Sequence, residues 1–268
     1  MPATHPGDVQ PVIRLLAPHE PPALNLERPD GRSPILLTCD HASKRIPECL
    51  NRLGLPDSEI ARHIGWDIGA LGVARRLSAE FDATLIAQNY SRLVIDCNRH
   101  FWRQDSIPTI SEATTITANE NLSEAEKTAR QQEIVVPYRA AIGNAIAARK
   151  AANRPLLYVS VHSFTPVYLG AARPQHIGLL SNRDRRLTDP MLAALREETA
   201  LCVGDNAPYR LTDEGDYGVP VYAEQAGIPY ALIEMRQDLI AEEAGQTEWA
   251  ARLARVLRKA AAAIGVEV

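Results

Sequence analysis

The sequence lacks the features that mark several large functional classes. No apolar run approaches the ~20 residues that a membrane-spanning helix needs, so no membrane partner is expected. There is no block of Lys and Arg, and the 29 basic residues are outnumbered by 33 acidic ones, giving a net charge of -4. A nucleic-acid backbone demands a basic face, so nucleic acid is not an expected partner either. The four cysteines, Cys39, Cys49, Cys97 and Cys202, form no CxxC pair. That pattern predicts buried free thiols in a reducing compartment. The first residues carry no positive segment followed by an apolar one, so no signal peptide is expected and the protein reads as soluble and cytoplasmic. A GxSxG elbow is missing, which argues against a serine hydrolase. The absence of GxGxxG and GxxxxGK[ST] argues against dinucleotide and P-loop phosphate binding.

What remains is 268 residues of ordinary globular composition, 46% hydrophobic and 23% charged. Residues 1–33 are rich in Pro and read as an extended amino-terminal arm. Residues 34–268 read as a single α/β domain. Short continuous apolar runs, each followed by turn residues, fit strands buried on both faces. They are Pro34–Cys39, Ala83–Gln88, Leu93–Cys97, Leu156–Val161, Ile177–Ser181 and Tyr230–Met235. Helical spacing covers residues 68–81, 124–152, 188–200 and 246–264. Ser123 and Glu126 have capping-box spacing, and Pro137 should kink or split the second helix. Asp189 should cap the third, with Pro190 at its first helical position. Strands alternating with helices predict a three-layer α/β/α fold with a mostly parallel or mixed sheet.

Ligands of such sheets bind at the carboxyl ends of the strands. Those ends carry Asp40-His41, Asn98-Arg99, His162-Ser163 and Glu234. A lone histidine at a strand end is commonly a hydrogen-bonded one; two point to a metal pair, His41 and His162. Catalytic zinc takes three protein ligands and keeps a position open. Asp67, in GWDIGALG, is the choice for the third, although Asp also caps helices well. Asp40 is its rival, and His63 is read as exposed on a preceding short helix. A carboxylate in the apolar strand YALIEM is costly unless it is paired or near a metal. Glu234 is therefore either half of an ion pair with Arg236 or Arg99, or a general base that takes a proton from water and later hands it to a leaving amine. Arg99, after Asn98, can grip a substrate carboxylate through two hydrogen bonds. Arg92 enters the same segment and can pair with Asp96. A non-catalytic binder of an acidic metabolite is the reading from another class.

The segments CDHAS, GWDIGA, YSRLVIDCNR, SVHSF, NAPY and IEMRQD, in that order, resemble the N-formylglutamate amidohydrolase family from about Pro34 to Ile240. The resemblance implies a phosphorylase/hydrolase-like fold, one zinc ion and removal of formate from N-formylglutamate, a late step of histidine degradation. Zinc carboxypeptidases and aspartoacylases are more distantly similar in the order of parts. That likeness implies metal ligands His41 and His162, a carboxylate-gripping pair Asn98-Arg99 and catalytic Glu234; Ser163 and Arg92 are further expected substrate-binding residues. Those enzymes place a zinc-binding Glu three residues after the first His, where this chain has Lys44. A different third ligand is required, hence Asp67.

Overall fold

The computed structural model describes residues 13–268. Numbered along the chain, the strands of its main sheet are β1 (Leu24–Glu27), β2 (Ile35–Cys39), β3 (Thr84–Gln88), β4 (Leu157–Phe164), β5 (Ile177–Leu180), β6 (Val203–Asp205) and β7 (Tyr230–Arg236). They form a seven-stranded sheet in the order β1-β3-β2-β4-β7-β5-β6. The central strands β3, β2, β4 and β7 are mutually parallel. β1 joins β3 antiparallel and β5 joins β7 antiparallel, so the sheet is mixed.

The longer helices are α1 (Ala70–Phe81), α2 (Glu124–Arg130), α3 (Val136–Ala151), α4 (Thr188–Arg196) and α5 (Glu243–Ala263). Helices α1, α4 and α5 cover one face of the sheet, where Val73 and Leu77 meet Leu37, Val159, Ile233 and Leu253 in one buried cluster. Helix α3 covers the other face, where Tyr138, Ile142 and Ile146 join Leu36, Tyr158 and Leu232. The result is the expected α/β/α layering.

Several local readings change. Leu93–Cys97 is not a strand. Its backbone turns, held by Ser91 Oγ accepting from the Leu93 N–H and by Asp96 Oδ1 accepting from the Asn98 N–H. Leu93, Val94 and Ile95 are nonetheless buried under the loops. Apolar content reports burial, and here burial comes without pairing. Within the lead-in, Leu24–Glu27 is the antiparallel edge strand β1, a segment too short for its alternation to stand out. Residues 1–12 of the expected arm lie outside the described residues. Around Pro137, the 124–152 helix is split by a wide turn at Gln131–Val135, since Pro has no N–H to donate. Asp189 does not cap α4; its carboxylate pairs with Arg185 at 2.7 Å. All four cysteines are free, but only Cys39 and Cys97 are buried; Cys49 and Cys202 are exposed. Among the described residues, no helix is long and apolar enough to cross a membrane.

Candidate active site

Adjacent strands β2, β4 and β7 end together at the middle of the sheet. The order in which strands are added reverses there, with β3 on one side of β2 and β4 on the other, which opens a crevice at the carboxyl edge. Alternation decides what fills it. Val159 and Val161 face one layer, while Tyr158, Ser160 and His162 face the other. On β7, Ala231, Ile233 and Met235 face the first layer and Leu232 and Glu234 the second. Glu234 is the register partner of His162, so the two side chains sit side by side on the same face. The polar residues thus occupy the last positions of one face, and the apolar residues behind them anchor the strands.

His41 follows β2 after Asp40, and its carbonyl accepts the Asp67 N–H at 2.9 Å, tying two loops together. Asp67 does not cap α1. The cap position is Gly69, which makes no side-chain cap bond. Gly69 has φ +80, and a Cβ there would stand 2.1 Å from the Ile240 carbonyl oxygen. This tight turn leaves the Asp67 carboxylate free to point inward. Its Oδ2 lies 2.9 Å from His162 Nδ1 and 3.3 Å from His41 Nδ1. The donor atoms of His41, Asp67 and His162 all lie within 4.8 Å of one another, and all three residues are buried. The His41 and His162 rings meet edge to face at 5.1 Å.

The outward ring nitrogens each meet a second carboxylate. His41 Nε2 is 2.8 Å from Asp96, and His162 Nε2 is 3.0 Å from Asp40. Asp96 is in turn bound by Arg92 at 2.7 Å, and Asp40 accepts from the Tyr138 hydroxyl at 2.8 Å and from Ser160. Such backing fixes ring orientation and tautomer, as it does for metal-ligating histidines. Asp40 stands behind His162 rather than at the shared centre. Burial alone would raise the Asp67 and Asp96 carboxyls; the neighbouring histidines, and Arg92 at Asp96, hold both below the usual range.

Glu234 sits beside this cluster. Arg236 is committed to Asp238, and Arg99 to Asp105 and Asp216, so neither expected ion pair with Glu234 forms. The Glu234 Oε2 is buried and has no hydrogen-bond partner among the described residues. Burial raises its pKa to about 7.

These groups open onto a cavity of about 480 Å³. Arg92, Asn98, Arg99 and Ser163 line it as well. Asn98 spends its side chain on the facing loop, accepting from the Tyr217 and Gly218 N–H groups and donating to Asp216. The Ser163 hydroxyl donates to the Ile68 carbonyl, and its N–H to Asp67. Lys44 is directed elsewhere, 5.7 Å above the Trp66 ring. His63 departs from expectation. It is largely covered and lines the cavity, 3.5 Å from Glu112. Glu112, Tyr209 and Arg210 also stand on the cavity wall, and none of them is among the expected site residues. They sit on loops with no periodic signal. Ser160 was findable, because it stands two residues before His162 on the same strand face.

The model of the N-formylglutamate amidohydrolase family matches residues 33–241. Among solved structures, a gene product of Agrobacterium tumefaciens is 40% identical, with a TM-score of 0.91, covering 94% of this chain and 99% of that one. An N-formylglutamate amidohydrolase from Ralstonia eutropha JMP134 is 20% identical, with a TM-score of 0.61, covering 90% of this chain and 98% of that one. A search of the curated proteins gives no match. The family match spans every strand-end group described above, and with it the chain belongs to the N-formylglutamate amidohydrolase family, as a hydrolase acting on an amide bond.

Proposed function

We propose that the protein is a zinc-dependent amidohydrolase that converts N-formyl-L-glutamate and water to L-glutamate and formate, the chemistry of a late step in histidine degradation. One observation carries this reading. A buried His41–Asp67–His162 cluster adjoins an unpartnered buried carboxylate, Glu234, at the bottom of an arginine-walled cavity.

The donor set fits a zinc ion. Two imidazoles and a carboxylate are a catalytic combination, and Asp96 and Asp40 back the rings as outer partners should. A bound zinc would supply Lewis acidity, making water easier to deprotonate and the amide carbonyl easier to attack. Glu234 accepts the proton of the attacking water as the water's oxygen bonds to the formyl carbon. It then delivers that proton to the nitrogen as the C–N bond breaks, so the amine leaves neutral. Burial raises this carboxyl above the ordinary carboxylate range in the metal-free protein, in the direction that suits both transfers at neutral pH. Arg99 meets a substrate carboxylate, while Arg92, Asn98 and Ser163 hold the surrounding wall in shape. The cavity volume lies in the range of small-molecule sites.

An amine-release screen tests this. N-formyl, N-acetyl and N-succinyl derivatives of Glu, Asp and Gln are offered with and without a chelator, and bound metal is measured alongside. N-formylglutamate should be turned over fastest, and the chelator should abolish turnover until zinc is restored. Chelator-resistant turnover by metal-free protein would remove zinc from the proposal. A preference for N-acetyl substrates would remove the formyl group.

A further inference from the structure

N-formylglutamate carries two carboxylates, and the cavity holds more than one arginine. Most of those arginines are already neutralised. Arg92 pairs with Asp96 at 2.7 Å, Arg103 with Asp105 at 2.6 Å, and Arg99 with Asp105 and Asp216, both at 3.3 Å. Arg210 is different. It lines the cavity, is exposed, and makes no hydrogen bond or ion pair among the described residues. It also borders a shallow neighbouring depression with Asp213 and Glu214, which places it at the rim rather than the floor.

The segment that carries Arg210 is well anchored. Leu211 is buried in the core, and Asn206 accepts from the Ser181 N–H. Tyr209, next to Arg210, receives a hydrogen bond from Arg173 at 2.7 Å, and Arg173 lies between the rings of Tyr168 and Tyr209. Tyr209 and Glu234 line the same cavity, so this segment borders the reacting end. A fixed backbone thus presents to whatever fills the mouth a cation that has no partner among the described residues.

We infer that Arg210 selects dicarboxylic substrates, by pairing with the side-chain carboxylate at the cavity mouth while the amide lies at the floor. This rests on the proposed reading and names the specificity determinant of the same site. Arg99, already shared between two carboxylates, is left to the carboxylate nearer the amide. A guanidinium with open donors matches a carboxylate fork, and an unpaired partner gains most from it.

The test compares wild type, Arg210→Gln and Arg210→Lys on N-formylglutamate and its neutral isostere N-formylglutamine. Wild type should prefer the glutamate substrate. Arg210→Gln should reduce that preference about 10–100-fold, the weight of an accessible charge-assisted contact. The loss should fall on the glutamate substrate alone, and Arg210→Lys should retain part of the preference. An unchanged ratio in Arg210→Gln overturns the inference while leaving the proposed reaction intact. A binding arm keeps the two separable. L-glutamate and L-glutamine are titrated calorimetrically into zinc-loaded protein, whatever acyl group proves to be cleaved. Wild type should favour glutamate and Arg210→Gln should not. Equal or absent binding of both by wild type also overturns it. Arg210 is exposed and unbonded, so the variants should melt with wild type.

Discussion

Replacing Glu234 with Gln separates chemistry from stability in opposite directions. Glu234 sits in a strand packed on both faces, with one carboxylate oxygen buried and unpartnered. In metal-free protein its pKa rises to about 7, through burial first. The ordinary value is about 4.3, so the buried ionised form is disfavoured by about 3–4 kcal/mol. The raised folded value fixes the sign. The cost is absent below about 4.3, grows as pH rises, and is complete only above about 7. Gln fills the same space without the charge. Metal-stripped Glu234→Gln at pH 8 should therefore melt several degrees above stripped wild type, at roughly 2–4 °C per kcal/mol for a chain of this size. Its kcat, once loaded with zinc, should fall by about 10²–10⁴, the weight of acid–base catalysis, with KM within a few-fold of wild type. Melting temperature, zinc content and kcat are measured on one preparation. A folded, zinc-loaded Glu234→Gln with kcat within tenfold of wild type would refute the assignment. Reduced stability with unchanged turnover would mark Glu234 as a structural residue.

Burial and Arg92 would lower His41, but Asp96 and Asp67 outweigh them; burial would lower His162, but Asp40 and Asp67 outweigh it. The protonated form of both rings is therefore favoured in the metal-free protein, with stabilisation complete below about 6.5 and fading as pH rises through the raised folded values. Zinc requires neutral imidazoles, so its uptake should release up to about two protons and tighten with rising pH. Calorimetry in buffers of different ionisation enthalpy reads this, and zero proton release counts against His41 and His162 as ligands. Asp96→Asn should weaken zinc affinity about 10–100-fold by loosening His41; unchanged affinity in a competition titration would show that Asp96 does not orient the ring. Arg99→Ala should lower kcat/KM on N-formylglutamate by roughly 2–4 kcal/mol. The same loss on a substrate without the α-carboxylate would refute its role.

The site was legible where sequence position and strand geometry coincide. His41 lies just past the end of one strand, after Asp40, and His162 and Glu234 lie near the ends of two others, so any parallel pairing gathers them at one edge. Leu93–Cys97 misled because an apolar loop buried under its neighbours has the composition of a strand. Asp67 was named with an N-cap as its alternative, and its separation from His162 along the chain could not decide between them. The Gly69 turn and the His41 carbonyl decide it, by aiming the carboxylate away from the helix end. His63 looked exposed because the loops that cover it are distant in sequence, Glu112 on one hairpin and Tyr168 on another.

Short-range apolar patterning encodes the layers, the strands that feed the active edge and most of the groups gathered at their ends. Long-range packing settles which carboxylate meets both rings, which stand behind them, and which arginine keeps open donors. Those depend on charges brought together from loops far apart in the chain, and no local pattern of residues encodes which partner each charge will find.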